Sequence, residues 1–158
     1  MHSVLSNCTN YYAIKEKKLS GSRSGFLEDL SNESRKEFLK VPHHDEEHFL
    51  YDQKKIFDSL ESGNLSYSAP TSMGKSYIMR VFIRNKIENG DTSNFAILVP
   101  TKALINEVKR KVIKELKGQL KDKNYRVVTS VGDIVLEQNH HFIFVMTPER
   151  LLYLINSK

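Results

Sequence analysis

Two apolar spacings alternate along the second half of this chain. Phe95-Ala96-Ile97-Leu98-Val99 is an unbroken apolar run, the pattern of a strand buried on both faces of a parallel sheet, and Pro100-Thr101 ends it. Leu104, Val108, Val112 and Leu116 then step by four, joined by Ile105 and Ile113, which predicts a helix whose other positions hold Lys109, Arg110, Lys111, Lys114 and Lys117. Tyr125-Arg126-Val127-Val128-Thr129 predicts another strand and His141-Phe142-Ile143-Phe144-Val145-Met146 a further buried one, with a hairpin-like excursion or short strand over 130–139 between them. Thr147 suits the N-cap and Pro148 the first turn of a final helix, with Leu151, Leu152 and Ile155 on its apolar side. Upstream, Phe49, Ile56, Phe57 and Leu60 predict a helix over 47–60 stopped by Ser62-Gly63-Asn64, followed by a short strand at 65–68 and an amphipathic helix over 77–87 ended by Asn89-Gly90-Asp91. Strands alternating with helices predict an α/β domain with a mostly parallel sheet flanked by helices.

Residues 1–46 differ in kind. Leu19-Ser20-Gly21-Ser22-Arg23-Ser24-Gly25 is a small-residue linker, and Phe26, Leu27, Leu30, Phe38 and Leu39 predict one or two short helices, so 1–46 is a small helical N-terminal extension and 47–158 the main domain. Pro42-His43-His44-Asp45-Glu46-Glu47-His48 holds metal-ligand types, but consecutively and on no predicted scaffold, so a polar connector is the favoured reading over a metal site.

With 39% hydrophobic and 27% charged residues the composition is that of a soluble globular protein. No apolar run approaches a membrane span, and Met1 to Tyr12 lacks the basic-then-apolar order of a signal peptide, so no membrane partner is expected and the chain is predicted to be intracellular and cytoplasmic. Cys8, the single cysteine, fits a reducing compartment. The net charge of +5 suits a polyanionic partner, although the lysines of the 104–117 helix also read as a solvated face.

The clearest chemistry lies at Ala69-Pro70-Thr71-Ser72-Met73-Gly74-Lys75-Ser76, between the predicted short strand and the helix after it. A triphosphate needs inward backbone N–H groups, a positive charge at its β and γ phosphates, and a hydroxyl for the bridging metal. Gly74 permits close backbone approach, Lys75 supplies the charge, and Ser76 can take a place on Mg²⁺, while the helix starting near Lys75 adds its positive dipole end. Ala69 stands where the strict G-x-x-x-x-G-K-[ST] pattern has glycine. Two predicted strand ends also finish in a threonine beside a proline, Pro100-Thr101 and Thr147-Pro148. They are either ordinary helix starts or a second row of phosphate contacts, through backbone amides and hydroxyls, for a nucleic-acid strand.

Taken together these segments resemble a known family. Residues 69–76 look like motif I of superfamily 2 DEAD/DEAH-type helicases, Pro100-Thr101-Lys102-Ala103-Leu104 like motif Ia, Thr147-Pro148-Glu149-Arg150 like motif Ib, and Gln53 like the glutamine of the Q motif. The order matches the family's first RecA-like domain from about residue 47 onward, and the Ser72-Met73 pair is closer to its DExH branch. The resemblance implies a P-loop NTPase fold that binds ATP and Mg²⁺. Gln53 would recognise adenine, Thr71, Ser72, Met73 and Gly74 would give backbone amides, and Lys75 and Ser76 would hold the phosphates and Mg²⁺. Thr101, Lys102, Thr147 and Arg150 would border single-stranded RNA or DNA.

In this family an Asp-Glu pair follows motif Ib, and a second RecA-like domain supplies arginine fingers. Neither occurs within these 158 residues. The resemblance thus implies an incomplete first helicase domain, partnered by the remainder of a longer helicase, which alone binds nucleotide weakly and barely turns it over. A non-catalytic nucleotide- or nucleic-acid-binding regulator is the alternative. A P-loop kinase leaves the two threonine-proline strand ends unexplained.

Overall fold

Phe49 and Phe57 sit at the centre of the first of two cores, with ring centroids 5.0 Å apart. The computed structural model describes residues 26–130 and 140–156. Two compact units, Met1–Phe82 and Ile83–Lys158, divide the chain inside one helix, and each has its own core.

In the first unit α1 (Phe26–Leu39) leads into a short antiparallel pair, β1 (Lys40–Val41) and β2 (His44–His48), and then α2 (Tyr51–Glu61). His43 makes the turn in the left-handed region at φ 60°. The predicted helix over 47–60 is therefore shortened at its start. Glu47 and His48 belong to β2, the Phe49 N–H donates to the Leu39 carbonyl at 2.7 Å, and Leu50 is extended, so the helix opens only at Tyr51. The histidine-rich connector is likewise half strand, and no group of three metal-ligating side chains forms among the described residues. Val41 shares a core with Phe49, Phe57, Ile78 and Val81, which ties the end of the expected N-terminal extension to the helices that follow it.

The expected strand at 65–68 does not form. No ladder includes these residues; Leu65, Ser66 and Ser68 are exposed and Tyr67 is half-buried. Leu65 and Tyr67 alternate with serines and would share one face, but no neighbouring strand pairs with them. A 3₁₀ turn (Thr71–Met73) and α3 (Lys75–Glu88) follow.

The second unit is a three-stranded parallel sheet in the order β3 (Phe95–Leu98), β5 (His141–Met146), β4 (Tyr125–Val128). The linking helices are α4 (Lys102–Glu115) and α5 (Lys117–Asp122), and α6 (Pro148–Asn156) follows β5. Central β5 buries Phe142, Ile143, Val145 and Met146 on both faces, as its apolar run predicts. Edge strand β3 departs from the expectation: Ile97 is buried, but Ala96 and Leu98 are exposed. Ile83 and Ile87 of α3, Ile105 and Val112 of α4, and Leu116 just after α4 pack on the face carrying Ile97, Ile143 and Val145. The face carrying Leu98 is less covered, because alternate residues of a strand point to opposite sides. In α6 the apolar side shows the same incompleteness: Leu151 is half-buried, whereas Leu152 and Ile155 are exposed. The excursion expected over 130–139, apart from Ser130, and the linker at 19–25 lie outside the described residues, as does most of the region read as the N-terminal extension.

Candidate functional site

The loop before α3 is built from local bonds. The Met73 N–H donates to the Pro70 carbonyl at 3.1 Å and closes the 3₁₀ turn; Gly74 then takes left-handed angles, φ 74° and ψ 32°. That region is costly for residues with a Cβ. The Gly74 carbonyl accepts from Tyr77 and Ile78, which starts α3 at Lys75. As a result, the N–H groups of Gly74, Lys75 and Ser76 donate to no acceptor among the described residues. Three consecutive free amides at a helix N-terminus form an anion-accepting cradle.

The Lys75 ammonium donates to the Ala69 and Pro70 carbonyls, the latter at 2.9 Å, so the loop folds over its own lysine. Thr71, Ser72 and Ser76 are exposed, and Met73 is half-buried. Among the described residues no group of three metal-ligating side chains forms beside the Ser76 hydroxyl; Mg²⁺, which keeps several waters and takes few protein ligands beside phosphate oxygens, would not need one.

Gln53 is 9% exposed, and its amide spans two elements. Its Oε1 accepts from the Leu50 N–H at 2.9 Å, which caps α2, and its Nε2 donates to the Met73 carbonyl at 3.0 Å, which holds the loop. A Cβ on Gly74 would stand 3.0 Å from that nitrogen, so a side chain there would press on the Gln53 amide in addition to straining the backbone. Read from the sequence without the family resemblance, Gln53 is an exposed helical glutamine. Its burial depends on a carbonyl twenty residues away in the chain. A second brace stands beside it, with no motif to mark it in the sequence: the Tyr77 hydroxyl donates to Glu47 Oε2 at 2.9 Å, and the Tyr77 ring meets Phe49 edge-on. Phe49, one turn before Gln53, was the available signal.

In the second unit, parallel register places Leu98 beside Met146 and Val128 beside Phe144, so three strands end along one edge. Thr101, the extended N-cap of α4, makes no side-chain cap bond, and Thr101 and Lys102 are exposed. Thr147 is buried, at 7% exposure, and its hydroxyl bonds the Glu149 carboxylate. That bond, with the Glu149 N–H and the nearby Lys102 charge, holds the Glu149 carboxyl below its ordinary range. The Thr147 carbonyl also accepts from Arg150 and Leu151. Arg150 reaches across to β4, donating to the Thr129 carbonyl at 3.1 Å and the Ser130 hydroxyl at 3.4 Å.

The two threonine-proline strand ends therefore differ. At α4 the hydroxyl and a lysine face outward, whereas at α6 the hydroxyl is engaged locally and the arginine ties two strand ends together. Glu149, which sequence reasoning passed over, is held chiefly by the Thr147 hydroxyl, with the Lys102 charge a lesser influence.

Over 116 residues the chain is 32% identical to anti-bacteriophage protein B of Escherichia coli (strain K12). The matched segment covers 73% of this chain and 14% of that protein, so the chain spans a small part of its relative's length. No solved structure gives a significant match. The sequence model of DEAD/DEAH box helicases matches residues 51–158, from the first residue of α2 through the loop and the whole sheet. The chain belongs to the DEAD/DEAH box helicase family, and its parallel sheet flanked by helices has that family's RecA-like P-loop fold.

Proposed function

We propose that this chain is the ATP-binding part of a helicase or translocase that couples ATP hydrolysis to unwinding, or moving along, RNA or DNA. The observation that carries the reading is the cradle at Gly74, Lys75 and Ser76, with free amides, a left-handed glycine and a lysine in one short stretch. Phosphoryl transfer is catalysed mainly by positioned charge. Lys75 would exchange its two loop carbonyls for the β and γ phosphates, and the free amides of Gly74, Lys75 and Ser76 would orient them, whereas the Met73 amide, expected to join them, is spent on the Pro70 carbonyl. Ser76 is the residue that would hold Mg²⁺, which neutralises phosphate charge when bound.

Gln53 keeps the loop in this form through Met73. Each of its amide atoms retains one hydrogen-bonding valence, which the adenine edge would use. Thr101, Lys102 and Arg150 border a strand held through its backbone, with Thr147 shaping that border from within. The likeness to anti-bacteriophage protein B adds defence against phage as the setting for the whole protein.

Binding of a fluorescent ATP analogue tests the site. The wild-type chain binds it in a Mg²⁺-dependent way, and Lys75→Ala loses that binding while keeping its fold by circular dichroism. Equal binding by both proteins would overturn the assignment.

A further inference from the structure

The segment from the start of α4 to Lys123, just past α5, carries a basic surplus equal to that of the full chain. Residues 102–123 hold eight lysines and arginines against three carboxylates, Glu107, Glu115 and Asp122, a surplus equal to the +5 of the full chain. Two of those carboxylates are engaged: Glu115 pairs with the buried Arg84 at 2.6 Å, and Glu107 pairs with Lys111. Among the described residues, Lys114, Lys117 and Lys121 have no acidic partner.

Their placement is ordered. Ile105, Val112 and Leu116 face the core. Arg110 and Lys114 on α4, and Lys117 and Lys121 on α5, each stand one turn apart, and all four are exposed, which makes a row of two basic pairs. The helices meet at Leu116, which leaves helical angles at φ −103° and ψ 17°; its N–H donates to the Val112 carbonyl and the Leu120 N–H to the Leu116 carbonyl, each at 2.9 Å.

Like charges one turn apart destabilise a helix, and here they recur at 110 and 114 and at 117 and 121. Glu107 lies within reach of Arg110, but among the described residues no carboxylate pairs with Lys114, Lys117 or Lys121; a polyanion would offset them. A membrane-lying helix would need an apolar flank, and beside this row Ile113 is a lone half-exposed aliphatic. The same helix opens at Lys102, on the strand-end edge, so α4 carries basic residues both at the proposed strand path and on its exposed face.

We propose that this row is a second nucleic-acid surface, which grips the sugar–phosphate backbone without reading sequence. It extends strand binding to a face that the strand-end residues do not use, and the two can fail separately.

The test is fluorescence anisotropy with a labelled oligonucleotide, single-stranded and as a duplex, from about 50 to 200 mM salt. The proteins are wild type, the triple variant K114E/K117E/K121E, and the matched single reversals K117E and K55E; Lys55 is exposed on α2. The triple variant should bind on the order of tenfold or more weakly at low salt, and its log–log salt slope should fall by about 2–3, one counterion contact per lysine. K117E should weaken binding and K55E should not. The melting shift with Mg-ATP should survive in all of them, which separates this surface from the nucleotide site. An unchanged slope in the triple variant would show a merely solvated face, and equal losses in K117E and K55E would reduce the effect to net charge. Either result overturns the proposal.

Discussion

The phosphate loop and the strand-end edge are both candidate anion sites, and they are made in opposite ways. In the loop, Pro70, Met73, Gly74 and Lys75 bond one another within a few residues, and one distant side chain, Gln53, locks the result. At the edge, residues far apart in sequence meet because parallel register sets Leu98 beside Met146, and the side chains that matter are mostly exposed. A locally bonded site should fail sharply when one member changes. A site assembled by register should lose its contacts one at a time.

The sharpest expected failure is at Gly74. Gly74→Ala puts a Cβ into left-handed backbone and 3.0 Å from Gln53 Nε2. It should cost about 1–2 kcal/mol of stability from the backbone alone, read from the denaturant midpoint, and nucleotide binding should fall with it. Retained ATP affinity would break the claim that the loop is held by these bonds.

Gln53→Ala comes next. It leaves the Met73 carbonyl and the Leu50 N–H without their partner, a loss of about 1–3 kcal/mol for buried groups. Titration with ATP and GTP sharpens the point: the variant should lose more affinity for ATP. Equal losses would mean that Gln53 acts only through the loop.

At the edge the effects should be smaller. Arg150→Ala removes the tie to Thr129 and Ser130, and single-strand binding should weaken evenly across sequences, with the salt slope falling by about 1. A loss confined to particular sequences would contradict a backbone contact.

The smallest effect concerns Glu149. Its carboxyl is held low chiefly by the Thr147 hydroxyl, so its contribution to stability is present above the ordinary carboxylate range and is lost as pH falls through the lowered value. Thr147→Val should move the Glu149 midpoint up toward 4.5, followed by NMR titration of its side chain. A midpoint that stays put would give the effect to Lys102 instead.

The same contrast governs what was legible in the sequence. Gly74-Lys75-Ser76 could be read because its chemistry is local, and β5 could be read because an apolar run needs cover on both sides wherever it goes. The strand at His44–His48 could not, since polar residues become a strand there only by pairing with Lys40 and Val41. Residues 65–68 had strand-like alternation, but pairing needs a neighbour that alternation does not reveal. The exposure of Leu98 follows from an edge position, which is a property of strand order and not of the run Phe95–Val99. Gln53 was placed by family likeness, and only the fold shows the Met73 carbonyl that buries it.

The most direct measurement is the amide ¹H–¹⁵N spectrum of the chain during titration with Mg-ATP. The account predicts that the Gly74, Lys75 and Ser76 amides shift first and furthest and become protected from hydrogen exchange, with no such change in Lys75→Ala. Binding that moves other amides and leaves these three unperturbed would contradict the assignment of this loop as the phosphate cradle.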